Sequence, residues 1–257
     1  MVDMVDAPQI TDNFIRKLYE RTRPSLTFQS TAKDDFVVWK EVLKNKVREL
    51  LGESPEPAGL DPQLLSTEET DHYIREKWLI QSEIDCWIPL YLLIPRGKAE
   101  KKPAILCAHG HGPYGKDLVA GVHFNDPVRK SEMTRSNYNY AEQMAEAGFV
   151  TVAPDWRSFG ERIAYQNPYP GRDICNVHFL QHLILGRTLL GANIFDGMRV
   201  VDFLFTRKEV DREKIGCMGL SFGGTMTTYL ALFDDRIKAA DIISVSYTHL
   251  RAHETVL

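Results

Sequence analysis

Apolar residues fall at helical spacing in the first fifth of the chain: Phe14, Ile15 and Leu18, then Phe36, Val37, Leu43, Val47, Leu50 and Leu51. The spacing predicts helix over 11–51, stopped at Gly52. The stretch ESPEPAGLDP that follows is a proline-rich connector. Two runs, HYIREKWLIQS and IDCWIPLYLLIP, alternate and are rich in aromatics, which predicts an antiparallel strand pair before a polar turn at Pro95-Arg96-Gly97-Lys98. From Pro103 the period changes. Ala104–Ala108, Phe149–Ala153 and Lys214–Met218 are short apolar runs of the kind that form strands buried on both faces, and Ile237–Ile243 begins a fourth. Helical patterns lie between them, at Tyr138–Ala147, over 178–206 (Phe179, Leu183, Leu190, Ile194, Met198, Val201 and Leu204 on one broad face) and at Phe222–Leu232. Strands and helices alternating at these distances predict βαβ units and a mostly parallel sheet. The chain thus divides into a helical N-terminal extension, 1–70, and an α/β domain from residue 71 to 244.

Composition changes this picture little. A chain of 257 residues with 44% hydrophobic content can bury a large core. A net charge of -4 gives no reason to expect nucleic acid or an anionic membrane as partner. No run approaches the roughly 20 apolar residues of a membrane span, and the acidic N-terminus lacks the apolar stretch of a signal peptide. Cys86, Cys107, Cys175 and Cys217 form no C-x-x-C pair, so no zinc or redox motif is read. A cytoplasmic location is the default expectation, and the oligomeric state is open.

In a parallel sheet the chemistry gathers at the carboxyl ends of the strands. Three segments stand there: His109–Gly112, Asp155–Gly160 and Gly219–Gly224. Gly219-Leu220-Ser221-Phe222-Gly223-Gly224 fits the nucleophile elbow G-x-S-x-G. The serine sits on a turn so sharp that the residues two positions away must lack side chains, which Gly219 and Gly223 supply. A short glycine string in a chain with 17 glycines is weak by itself; the apolar strand before it and the apolar helix after it give it weight. Ser221 is the predicted nucleophile, with the N–H of Phe222 aimed at the oxyanion. His109-Gly110-His111-Gly112 alternates two histidines, but no third donor group stands nearby in the sequence, so no metal is expected. Its glycines let backbone approach a substrate, and the N–H of His111 is the predicted second oxyanion donor. Asp155 and Arg157 belong to a charge-dense loop that more simply ties the elbow in place by ion pairs than touches substrate. Asp196, Arg199 and Asp202 are read as structural ion pairs, and His72, His123, His178 and His182 remain unassigned.

These segments resemble the dienelactone-hydrolase-like and acetyl-xylan-esterase-like branch of the α/β hydrolases. PAILCAHGHGPYGKD, VAPDWRSFGER, LLGANIFDGMRVVDFL and VDREKIGCMGLSFGGTM carry the likeness, which covers roughly residues 72–244. It implies an α/β-hydrolase fold and hydrolysis of carboxylic esters by a Ser-His-Asp mechanism on a small-molecule substrate, without metal or organic cofactor. The alternatives are a peptidase on the same fold and a non-catalytic binding protein. The family places its acid and histidine after further strands. His249, His253 and Glu254 follow Ser221 too closely to build those strands, so the C-terminal strands are read as missing and the fragment as inactive. Residues 245–255, VSYTHLRAHET, match in one frame the translation of a transposase sequencing adapter, and 245–257 are therefore expected to be a non-native tail.

Overall fold

The computed structural model describes residues 9–97, 100–163 and 171–243. The adapter-like tail, 245–257, lies outside them. The chain forms two compact units, Met1–Val47 and Arg48–Leu257. The single helix expected over 11–51 is two: α1 (Gln9–Arg21) and α2 (Lys33–Leu51). Pro24 explains the break, because the residue before a proline is pushed out of the helical region and proline has no N–H to give. Phe28, Phe36 and Trp39 then cluster, with ring centroids 5.1–5.7 Å apart.

The second unit is built on a seven-stranded sheet in the order β1-β2-β3-β5-β4-β6-β7. Its strands are β1 (Gln63–Glu69), β2 (Tyr73–Glu83), β3 (Cys86–Pro95), β4 (Lys102–Ala108), β5 (Val150–Pro154), β6 (Val210–Leu220) and β7 (Ile237–Ile243). β5, β4, β6 and β7 pair in parallel, and β1, β2, β3 and β5 antiparallel. The sheet therefore begins before residue 71: β1 was hidden because all seven of its residues are exposed and carry no alternation. The helices are α3 (Lys116–Val119), α4 (Pro127–Arg135), α5 (Tyr140–Glu146), α6 (Ile174–Ile184), α7 (Leu189–Thr206) and α8 (Phe222–Phe233). The long helix expected over 178–206 is also two. Gly186 adopts a left-handed φ of 74°, and Thr188 caps α7 by accepting the Gly191 N–H at 3.0 Å.

Two cores flank the sheet. One gathers Ile88, Leu90, Leu106, Val152, Phe203, Leu204 and Met226, and the other Leu93, Cys107, Val119, Ala141, Ala153 and Met218. Cys107 and Cys217 are buried as their apolar surroundings imply. Burying strands on both faces leaves only their ends for chemistry, and the carboxyl ends of β4, β5 and β6 carry the three segments singled out above.

Candidate active site

β6 ends at Leu220 and α8 begins at Phe222; between them Ser221 takes φ 57°, ψ -119°. A non-glycine residue there carries strain of roughly 1–3 kcal/mol, held by the packing around it. That packing is backbone on backbone. A Cβ on Gly223 would overlap the Ala108 carbonyl oxygen, and one on Gly219 would come within 2.7 Å of the same atom. The end of β4 thus runs directly against the turn. The Ser221 N–H donates to the Ile243 carbonyl of β7 at 2.9 Å, leaving the side chain exposed above the sheet. No oxygen among the described residues accepts from the N–H of His111 or of Phe222.

The two histidines of the β4 loop occupy opposite environments. His109 is fully buried; its Nε2 accepts the Trp156 N–H at 3.1 Å and its Nδ1 lies 2.7 Å from the Gly110 carbonyl. Those contacts fix a neutral ring with the proton on Nδ1. Burial pushes its pKa down, against the pull of Asp155 4.0 Å away. His109 therefore clamps β4 to β5 and offers no proton acceptor to the cavity. His111 is exposed, its ring edge-on to Phe159 at 5.1 Å and its Nε2 3.3 Å from Cys175 Sγ. Gly110 must be glycine: a Cβ would stand 2.7 Å from the Tyr138 hydroxyl and 2.9 Å from the Leu220 carbonyl.

The charge-dense loop after β5 is a support. Asp155, buried, accepts from the Lys116 N–H and ammonium at 2.8 Å each and from the Glu161 N–H at 3.0 Å. Lys116 also pairs with Glu161. Gly115 and Gly160, at φ 51° and 55°, wrap the Asp155 carboxylate so closely that a Cβ on either would overlap it. Arg157 makes a two-pronged pair with Asp196 at 2.9 and 2.7 Å and meets Glu83 at 2.7 Å, while Arg162 meets Asp196 at 2.7 Å. Burial raises the Asp196 pKa, but Arg162 and Arg157 outweigh it and hold the carboxyl below its ordinary value. Glu161 is likewise lowered, burial being outweighed by Lys116 and Lys77. Arg199 and Asp202 pair on α7 at 2.5 Å.

A cavity of about 160 Å³ opens at Ser221, bounded by Gly110–Gly115, Glu132, Ser136, Tyr138 and Leu220. A second, of about 440 Å³, shares His111, Gly112 and Pro113 with it and extends past Phe159 to Asp173 and Cys175. Several of these residues escape a reading of the sequence. Tyr138 accepts the Gly110 N–H at 2.6 Å, and Tyr140 donates to the Ala108 carbonyl at 2.6 Å; in the sequence they are only the start of a helix. His178 is not isolated but pairs with Ser158, a residue at φ 79°, at 2.7 Å. His111 has no further donor group beside it in the sequence, but in three dimensions Asp173 and Cys175 of the α6 N-terminus converge on it. Ser221 Oγ has no histidine as hydrogen-bond partner among the described residues.

The sequence model of the Abhydrolase family matches residues 6–245. The chain belongs to that family. As an Abhydrolase, it is 27% identical over 193 residues to a Bacillus subtilis (strain 168) protein named "Putative hydrolase YtaP", covering 74% of this chain and 58% of that one. An Escherichia coli (strain K12) protein, YcjY, is 33% identical over 109 residues, 41% of this chain and 28% of its own length. Among solved structures, "a putative acetyl xylan esterase" from Bacteroides fragilis NCTC 9343 superposes with a TM-score of 0.77 at 24% identity, over 90% of this chain and 59% of that one. The acetyl xylan esterase from Paenibacillus sp. R4 gives 0.52 at 21% identity, over 92% and 63%. These likenesses establish the α/β-hydrolase fold. The Abhydrolase chain spans less than two thirds of the length of each of these proteins. Among its described residues no helix is long and apolar enough to cross a membrane.

Proposed function

We propose that this protein is a serine hydrolase of carboxylic esters that works through an acyl-enzyme on Ser221. The observation that carries the reading is the strained Ser221 at φ 57°, exposed at the N-terminus of the twelve-residue α8 and facing the Gly110–Gly112 loop across a small cavity. In this reading Ser221 Oγ attacks the ester carbonyl after giving its proton to a histidine base, and the alcohol leaves as the acyl-enzyme forms. The N–H groups of His111 and Phe222 hold the developing oxyanion, each contributing roughly 3 kcal/mol of barrier lowering. The positive end of α8 acts in the same sense. Gly110, Gly219 and Gly223 allow the close packing around the serine turn, Gly112 lines the cavity, His109 clamps β4 to β5, and the Asp155 and Arg157 pairs hold the floor beneath. A cavity of about 160 Å³ suits a short acyl group. The relatives named as acetyl xylan esterases support an ester rather than an amide, on a carbohydrate alcohol.

No histidine is hydrogen-bonded to Ser221 Oγ among the described residues, and slow turnover is the expected outcome. The test is incubation with p-nitrophenyl acetate followed by mass spectrometry of the Ser221 peptide. An acetyl adduct that vanishes in Ser221→Ala is expected, with p-nitrophenol released at little above one equivalent. Absence of the adduct after prolonged incubation would remove the ester-hydrolase reading. Sustained turnover dependent on Ser221 would remove only its slow-turnover clause.

A further inference from the structure

The donors that converge on His111 belong to no step of the ester chemistry. His111 Nε2, Cys175 Sγ and an Asp173 carboxylate oxygen all lie within 4.8 Å of one another, at the edge of the 440 Å³ cavity. The 3.3 Å between Nε2 and Sγ is close to the edge, about 3.5 Å, of a tetrahedron with Zn–N and Zn–S bonds of about 2.0 and 2.3 Å. The carboxylate supplies a second, independent sign. Asp173 is the N-cap of α6, an eleven-residue helix, and an N-cap aspartate ordinarily accepts an N–H of the first turn. Here the carboxylate makes no such bond. It stands instead beside the thiol. One imidazole nitrogen, one carboxylate oxygen and one thiol sulfur are thus gathered at a single point.

We propose that His111, Asp173 and Cys175 form a binding site for a thiophilic divalent transition-metal ion, with zinc as the type. Three protein ligands of N, O and S type leave the fourth position to water or to a group in the cavity. On binding, the Cys175 S–H bond breaks, its proton passes to the buffer, and a metal–thiolate bond forms. The two carboxylate and thiolate charges outweigh the roughly half positive charge of the α6 N-terminus. The ion ties the first turn of α6 to the loop that carries the His111 N–H, so that metal loading and the Ser221 cavity share one residue.

The test needs no turnover, so its outcome is separate from that of the ester-hydrolase reading. Zinc chloride is titrated calorimetrically into the full chain, in two buffers of different protonation enthalpy, with cobalt(II) as the optical probe. Expected are one ion per chain, release of about one proton, and a thiolate-to-cobalt charge-transfer band. Cys175→Ser, Asp173→Asn and His111→Gln should each weaken zinc binding roughly tenfold or more, while leaving the urea midpoint of the metal-free chain unchanged. Cys175→His should restore zinc affinity without the charge-transfer band. Zinc binding that is undiminished in all three variants, or no binding at all by the unsubstituted chain, would overturn the proposal.

Discussion

Replacing Asp155 with asparagine tests whether the loop after β5 is held by charge or only by shape. The side chains are of equal size, so packing is preserved. Asp155 is fully buried and receives three donors, two of them from Lys116, which is itself only 1% exposed. An asparagine oxygen can keep one group of these donors, but its NH₂ must then face the others, N–H against N–H. The Lys116 ammonium keeps Glu161, whose carboxylate is half exposed and so the weaker partner. Breaking a buried ion pair by removing one partner costs about 3–5 kcal/mol. With Glu161 retained, the lower end, about 3 kcal/mol, is the expectation. Urea unfolding followed by tryptophan fluorescence should show the midpoint fall with the slope unchanged. Adding Lys116→Met should recover more than half of the loss, because the buried charge left without its main partner is then gone as well. A loss below about 1 kcal/mol, or a double variant no better than the single, would refute the view that a buried ion pair holds the active-site floor.

Gly223→Ala forces a Cβ into the Ala108 carbonyl oxygen and to 2.8 Å from its carbon. Neither neighbour can rotate away, so a destabilisation of roughly 3 kcal/mol or more is expected by urea melts; a near-neutral result would contradict the close backbone crossing. Tyr138→Phe removes the acceptor of the Gly110 N–H. It should cost about 1 kcal/mol of stability and slow acetylation of Ser221, and an unchanged acetylation rate would argue that the Gly110 loop holds its place without the phenol. His109 is held neutral in the fold with a lowered pKa, so its contribution is present above its unfolded value of about 6.5 and is lost as pH falls below it. The lowered pKa values of Asp196 and Glu161 give stability that persists down to about pH 4 and is lost below. Thermal melts should therefore weaken in two stages on acidification, and a melting temperature that rises from about pH 7 to pH 5 would contradict the His109 assignment.

How much of this was legible in advance differs between elements for physical reasons. β4, β5 and β6 were read from their apolar runs because strands buried on both faces leave a continuous apolar trace. β1 left none, since its seven residues are exposed and its place is set by pairing with β2. The breaks at Pro24 and Gly186 fall inside apolar periodicity, which follows the buried face and passes over a single residue that the backbone cannot continue through. Ser221 was visible because a sharp turn demands glycines at fixed distances along the chain. Tyr138, Ser158 and His178 were not, because each acquires its meaning from a partner 20 or more residues away.

By itself, then, the sequence determined the buried strands, the glycine-bounded serine turn and the charge of the loop beside it, all of which rest on local spacing and on solvent exclusion. The tertiary structure decided what each polar group does. It made His109 a buried neutral clamp and His111 an exposed donor, although two positions separate them, because one ring enters the core between β4 and β5 and the other stands in the cavity. It also carried Asp173 and Cys175 to His111 across more than sixty residues. Hydrogen bonds, ion pairs and ligand sets depend on distances of a few ångströms between remote segments, and only the packed sheet fixes those distances.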